Sequence, residues 1–312
     1  MSLFGKKKVD LEKISVVPDE ELAPPDETQL ELTRVGRYEI VAPIGSGGMG
    51  VVYKAIDRER DQTVAIKVLE RRFDLDRRRR RRDYLGREVM IAAALSHPNI
   101  IRMSKEIIVQ EDRNGHMRRC LLMEYIDGHN LRKHIKDQDL NLKQVLDICK
   151  KLCTGLNFLH QMNIVHRDIK PENFLLTRDL LQVKIVDFGL SKITTGWRSL
   201  WDKEGGGTRK YMSPEQLNKK SLDARSDIFS FGLTVYELLT GRHACTATEG
   251  KEILWQLRSS KYRFEPPSKY NPKVPPALDK IVLKALRRKP EHRYQSVAEM
   301  LLDLERTGES RI

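Results

Sequence analysis

The chain has 312 residues, 39% hydrophobic and 32% charged, with a formal net charge of +13. That length can bury one large core or two modest ones, and the composition is globular rather than disordered or fibrous. No apolar run reaches the roughly 18 residues a helical membrane span needs, and Glu237 interrupts the longest apolar stretch, 228–241.

The first ten residues carry lysines without an apolar segment behind them, and residue 2 is serine, so neither an export signal nor myristoylation is expected. Residues 1–36 hold five Lys and Arg against eight Asp and Glu, a balance of −3 that leaves +16 on the rest. Their "PDEELAPPDET" run shows no sustained period, which predicts a mobile acidic tail and a folded part starting near Gly36.

From Tyr38 to Leu69 the runs "YEIVAPI", "VVYKAI" and "TVAIKVL", separated by "GSGG" and "DRERDQ", predict successive antiparallel strands. The arginine run Arg77–Arg82 follows. Cations just before a helix N-terminus oppose the helix dipole, so the run reads as a solvated connector ending at Asp83, the cap of a helix reaching about Leu95. The sharper reading is a dock for an acidic protein, a nucleic acid or a phosphorylated loop. Strands are expected at 101–109 and 119–125.

Beyond "DGHN" (127–130) the period changes. Leu142, Val145, Leu146, Cys149, Leu152, Cys153, Leu156 and Leu159 form the stripe of a long helix with one buried face. Further helices are expected at 223–240, 248–258, 276–288 and 297–306, the last opened by a Ser296–Glu299 capping box. The four cysteines (Cys120, Cys149, Cys153 and Cys245) form no CxxC pair and read as small apolar core residues in a reducing cytoplasm.

"GSGGMG" (45–50) matches GxGxxG, a weak signal by itself. Strands rather than a helix follow it, which argues against a dinucleotide fold and for a glycine lid over phosphates, with Gly45, Gly47 and Gly50 letting the backbone approach. Lys67 lies in apolar β-sequence; it is either a solvent-facing lysine or an ammonium held toward phosphate oxygens by Glu88 on the next helix. In "VHRDIKPENFLL" (165–176), Asp168, Lys170 and Asn173 supply what phosphoryl transfer requires. These are a carboxylate to orient and deprotonate a hydroxyl, positive charge on the moving group, and an oxygen ligand for Mg²⁺. The strand "KIV" then leads to Asp187, the place for a second Mg²⁺ ligand.

With "GSGGMGVVY", "VAIK", "HRDIKPEN", "DFG" and "GTRKYMSPE" in this order and approximate spacing, the chain resembles the protein kinase family over roughly residues 37–306. It is most similar to the bacterial serine/threonine kinases of eukaryotic (Hanks) type. The resemblance implies an α+β, bilobal fold with a small antiparallel sheet and one key helix in the N-lobe (37–123), a hinge (124–127) and a mostly helical C-lobe (128–307). Residues 308–312 are left as a short tail.

Matched residue by residue, the resemblance implies Asp168 as catalytic base with Lys170 beside it. It further implies Asn173 and Asp187 as Mg²⁺ ligands (Mn²⁺ being an alternative ion), and Lys67–Glu88 as the phosphate-anchoring pair. ATP would meet Ile44, Gly45, Ser46, Gly47, Gly48, Met49 and Gly50. Its adenine would lie among Val52, Ala65 and Leu175, with Met123 as gatekeeper and Glu124 and Ile126 offering hinge backbone. Lys170 and Thr208 resemble the serine/threonine branch. Glu215–Arg293 would brace the helical lobe and Asp227 would support the turn at Arg167.

Kinases with this arginine are often controlled by phosphorylation, for which Thr194, Thr195 and Ser199 are the candidates unless Asp202 or Glu204 supplies fixed charge. The implied activity is transfer of the ATP γ-phosphoryl group to protein Ser/Thr hydroxyls, with cytoplasmic partners or the acidic tail bringing the signal. The rival readings are an idle, pseudokinase-like scaffold and a binder of nucleic acid or acidic partners through Arg77–Arg82. Ser213 stands where alanine is more common before Pro-Glu, a departure expected to matter little beside the lack of the membrane span that many bacterial relatives carry.

Overall fold

The computed structural model describes residues 32–47, 50–70, 89–188, 209–247 and 250–309. Among these the chain forms two compact units, one comprising residues up to 70 with Glu106–Asp127, the other residues 89–105 and those from Gly128 onward.

The first unit is built on a six-stranded sheet of order β1-β2-β3-β4-β6-β5. Its strands are β1 (Arg34–Val35), β2 (Tyr38–Gly47), β3 (Gly50–Asp57), β4 (Gln62–Leu69), β5 (Met103–Glu111) and β6 (Met117–Glu124). The folded part therefore begins earlier than the expected Gly36. Val35 pairs with Tyr38, and Leu32 and Val35 are buried in the core beside Tyr53, Ile66, Val68 and Leu122. Proline has no N–H for a ladder, and the register of β2 against β3 shifts between Pro43 and Gly45. At Gly50 the backbone has φ +141°, and a Cβ there would stand 1.9 Å from Val68 O on β4. The last glycine of the GxGxxG run is thus demanded by its own sheet neighbour.

The second unit is mostly helical: α1 (Leu131–Asp137), α2 (Leu142–Gln161), α3 (Pro214–Leu217), α4 (Ala224–Thr240), α5 (Gly250–Arg258), α6 (Pro276–Ala285) and α7 (Val297–Glu309), with residues 89–94 also helical. A small sheet of order β7-β8-β9 joins them, made of Gly128–Asn130, Phe174–Thr177 and Val183–Ile185. The long helices end within a turn of their expected bounds. No helix among the described residues is long and apolar enough to cross a membrane.

The α2 stripe is buried as the spacing predicts, and the helix opens on a reciprocal cap in which Asn141 Oδ1 accepts from Gln144 N and Gln144 Oε1 accepts from Asn141 N. Cys149 and Cys153 lie in that stripe, and burial pushes the Cys149 thiol up to about 12, so it packs as an inert apolar group. The box expected at α7 is only half formed: Ser296 Oγ accepts from Glu299 N, while Glu299 Oε2 accepts from Gln295 N instead of Ser296 N. Helix α4 is buried on nearly every side, as a helix apolar all round must be, and closes on Gly241 at φ +70°, whose N–H reaches Glu237 O.

Arg293 braces this unit. Nη1 and Nη2 bond Glu215 Oε1 and Oε2 at 2.7 and 2.8 Å, and the remaining N–H groups go to the carbonyls of Arg225, Arg287 and Arg288. All five guanidinium donors are used, a set that lysine cannot supply. Burial pushes the Glu215 carboxyl up, but the hydrogen bonds and charge of Arg293 outweigh it and hold the group below its ordinary value. Its contribution to stability is therefore complete above the ordinary carboxylate range and is lost as the pH falls below it.

Arg293→Met strands Glu215 and is expected to lower the unfolding free energy by about 3–5 kcal/mol. Denaturant titration checks this, Arg293→Lys recovering only part of the loss. Arg293→Met should also flatten the acid limb of the stability–pH curve, because the carboxylate it leaves no longer gains from ionising.

Candidate active site

In the second unit, residues 165–173 form the link between α2 and β8. Its shape is set from α4: Asp227 Oδ2 accepts from His166 N at 2.7 Å and Oδ1 from Arg167 N at 2.8 Å, and His160 Nε2 reaches Oδ2 at 2.8 Å. These bonds hold Arg167 at φ +67°, a left-handed conformation that costs a non-glycine residue roughly 1–3 kcal/mol. Gln216 Nε2 donates to Arg167 O at 2.8 Å from the other side.

His166 joins this turn to the strand that carries Asp187. Its Nε2 faces Val186 O at 3.0 Å and so must be the protonated nitrogen, leaving Nδ1 to accept from Asp168 N at 3.4 Å. Val186 N in turn donates to Asn173 O at 3.0 Å. Both peptide groups of Val186 are thus held by the 165–173 segment, and the next residue, Asp187, sits in the left-handed region at φ +60°. Strand β9 is fixed behind it by Ile185 N to Asn99 O and Ile101 N to Ile185 O.

Around Asp168 the predicted groups come together. Lys170 Nζ lies 2.9 Å from Asp168 Oδ2. Asn173 Nδ2 donates to Asp168 O at 2.7 Å and to Oδ2 at 3.1 Å. The amide is thereby oriented through its nitrogen, and its Oδ1 has no hydrogen bond among the described residues; nor does Asp168 Oδ1. Half-buried Leu175 sits on β8, opposite Asn130 and Lys184.

In the first unit, residues directly opposed across antiparallel strands share a face of the sheet. Val52 opposes Lys67, Lys67 opposes Leu121, and Ala65 opposes Met123, so Val52, Ala65, Lys67 and Met123 stand on one face. The alternate residues Tyr53, Ile66 and Leu122 fill the core on the other. Lys67 is only 3% exposed, so it is not the solvent-facing lysine of the bland reading. Glu124 ends β6 with Ile126 two residues on, and Ile44, Gly45 and Ser46 lie exposed on β2, where a Cβ at Gly45 would meet nothing within 4 Å. Gly48, Met49, Arg77–Arg82, Glu88, Thr194, Thr195, Ser199 and Thr208 lie outside the described residues.

One polar cluster had no sequence signal. Arg132 of α1 donates through Nε to Glu172 Oε1 at 2.8 Å, through Nη1 to Glu237 Oε1 at 2.7 Å, and through Nη2 to the Tyr211 hydroxyl. That hydroxyl donates to Glu237 Oε2. Burial pushes the Glu237 carboxyl up, but the hydrogen bonds from Arg132 and Tyr211 prevail and hold it below the usual carboxylate range. No local pattern marks this cluster, because its partners are 40 and more residues apart in sequence.

Comparison with known proteins agrees with this geometry. A family model described as "Protein kinase domain" matches residues 38–303. The serine/threonine-protein kinase PknB of Mycolicibacterium smegmatis is 38% identical over 277 residues, which cover 88% of this chain and 43% of that protein. PknB of Mycobacterium tuberculosis is 37% identical over 274 residues, covering 86% of this chain and 42% of that one. The chain thus spans about two fifths of the length of these curated relatives. Among solved structures, the PknI kinase domain of M. tuberculosis superposes with a TM-score of 0.65 at 25% identity, over 89% of this chain and 98% of that domain. The antiparallel sheet of one unit and the helices of the other are accordingly those of the kinase fold, and the chain belongs to the protein kinase domain family.

Proposed function

We propose that this protein is a serine/threonine kinase that transfers the γ-phosphoryl group of Mg²⁺-ATP to hydroxyls of protein substrates. The observation that carries the reading is the state of the Asp168 carboxylate. Oδ2 is held by Lys170 and Asn173, while Oδ1 has no hydrogen bond among the described residues and can accept the proton of an incoming hydroxyl. The two PknB relatives, both named serine/threonine-protein kinases, support Ser or Thr as acceptor.

Asn173 and Asp187 are the residues that would hold the cation, and they fit it. The Asn173 amide keeps its oxygen for a ligand, Asp187 follows the residue whose N–H is bonded to Asn173 O, and two oxygen donors leave room for phosphate and water in the shell. When bound, Mg²⁺ neutralises charge on the phosphate oxygens. Lys170, 2.9 Å from Asp168, brings positive charge to the acceptor side. In the first unit, Lys67 would anchor phosphates, with Glu88 as its partner. Val52, Ala65 and Met123 on the same sheet face would receive adenine. The backbone of Glu124 and Ile126 would bond it, and the glycine run from Ile44 to Gly50 would cover the phosphates.

Control by autophosphorylation at Thr194, Thr195 or Ser199 is part of the same proposal. Arg167 Nε is buried with no partner among the described residues, a guanidinium group suited to pair with a phosphate.

Transfer of labelled phosphate from ATP and Mg²⁺ to a generic basic protein tests the activity. Asp168→Asn is expected to lower the rate about 10²- to 10⁴-fold, and no transfer by folded wild-type protein would overturn the reading. Phosphopeptide mapping after incubation with ATP is expected to find phosphate within 189–208; a fully active enzyme without it there would remove the regulatory part.

A further inference from the structure

The Arg132 cluster includes Glu172, a residue of the 165–173 segment that carries the proposed acceptor site. Glu172 follows Asp168 by four residues, which puts their Cα atoms no more than about 14 Å apart. Two carboxylates at that position, Glu172 and Glu237, would by themselves form an acidic fork of the kind that binds a guanidinium bidentately. They are already taken. Arg132 engages Glu172 Oε1 and Glu237 Oε1, and reaches Glu237 Oε2 at 3.4 Å, where Tyr211 also donates. Only Glu172 Oε2 is left, buried and without a partner among the described residues. Lys210 Nζ adds a second cation 5.2 Å from the Tyr211 ring centre, so two negative charges face two positive ones. Burial alone would make a cation here costly, yet the Arg132 guanidinium is held more firmly protonated than an ordinary arginine, because Glu237, Tyr211 and Glu172 outweigh it.

We propose that Arg132 is a specificity-determining residue: a resident guanidinium that fills the Glu172–Glu237 fork and so prevents the enzyme from selecting substrates with a basic residue flanking the acceptor Ser or Thr. The inference rests on the kinase reading above and adds the substrate class. The preferred peptides are neutral or acidic around the hydroxyl, and removing the resident cation turns the fork into a receptor for a substrate arginine. A purely structural Arg132 would, on removal, lower stability or rate for all peptides alike and leave their ranking unchanged.

The test is a set of Ser/Thr peptides in which each flanking position carries Arg, Glu or Ala in turn, scored by kcat/KM with kcat and KM resolved separately. Wild type is expected to favour Arg over Ala less than about threefold. Arg132→Ala should gain about tenfold or more for peptides with Arg at one flanking position, through KM, the worth of one charge-assisted hydrogen bond. Arg132→Lys, which keeps a cation, should not. Arg132→Ala leaves Glu237 without its counter-charge and can fail to fold. Arg132→Gln, which keeps an amide near Tyr211, is the milder variant and should gain in the same direction. Glu172→Gln should leave the wild-type ranking as it is. A wild type that already selects Arg tenfold or more, and loses that preference in Glu172→Gln, would overturn the inference and leave the kinase reading standing. So would an unchanged ranking in folded Arg132→Gln. Absence of transfer to every peptide by folded wild type would instead overturn the kinase reading, and this inference with it.

Discussion

The helical unit depends on one buried carboxylate. Asp227, in the first turn of α4, is 1% exposed and receives two backbone N–H groups and the His160 ring. A polar group so deeply buried is tolerated only when its lone pairs are filled. The turn that fills them is the one that needs help, since Arg167 sits in a conformation that its own backbone disfavours. Each side thus offsets the other's cost, and the result is a fixed starting point for Asp168. From there the order passes through the His166 ring to Val186 and through Asn173 back to Val186. The segments that supply Asn173 and Asp187 are also tied by the Val186 N to Asn173 O bond, which no side-chain rotation can loosen.

The strand unit reaches its order differently, through a two-faced sheet. Tyr53, Ile66 and Leu122 give one face a closed apolar core, while small Ala65, branched Val52 and Met123 surround Lys67 on the other. A buried ammonium in mid-strand is costly as packing, so this face is less apolar than the core face.

Much of this was legible because it is local. The α2 stripe from Leu142 to Leu159 declares its helix by period alone, and the groups that meet at 168–173 are compressed into a few neighbouring residues. What was missed is long-range or too short to have a period. Strand β1 is two residues, so no alternation could separate Arg34–Val35 from the acidic segment before them. Glu237 read as an interruption in an apolar run, because its reason for being there, Arg132, lies 105 residues away. The capping pattern at Ser296 was visible, but pattern alone could not say that Glu299 would turn to the amide of Gln295.

Asp168, Lys170, Asn173 and Asp187 lie within twenty residues of one another, and their brace, Asp227, belongs to the same compact unit. This cluster is therefore ordered as a single piece. Sequence novelty elsewhere, such as six consecutive arginines between β4 and the helix at 89–94, can arise without any of the bonds that aim Asp168 having to be renegotiated. Such a layout separates the segments that vary the chain's surface from the bonds that fix the 165–187 region.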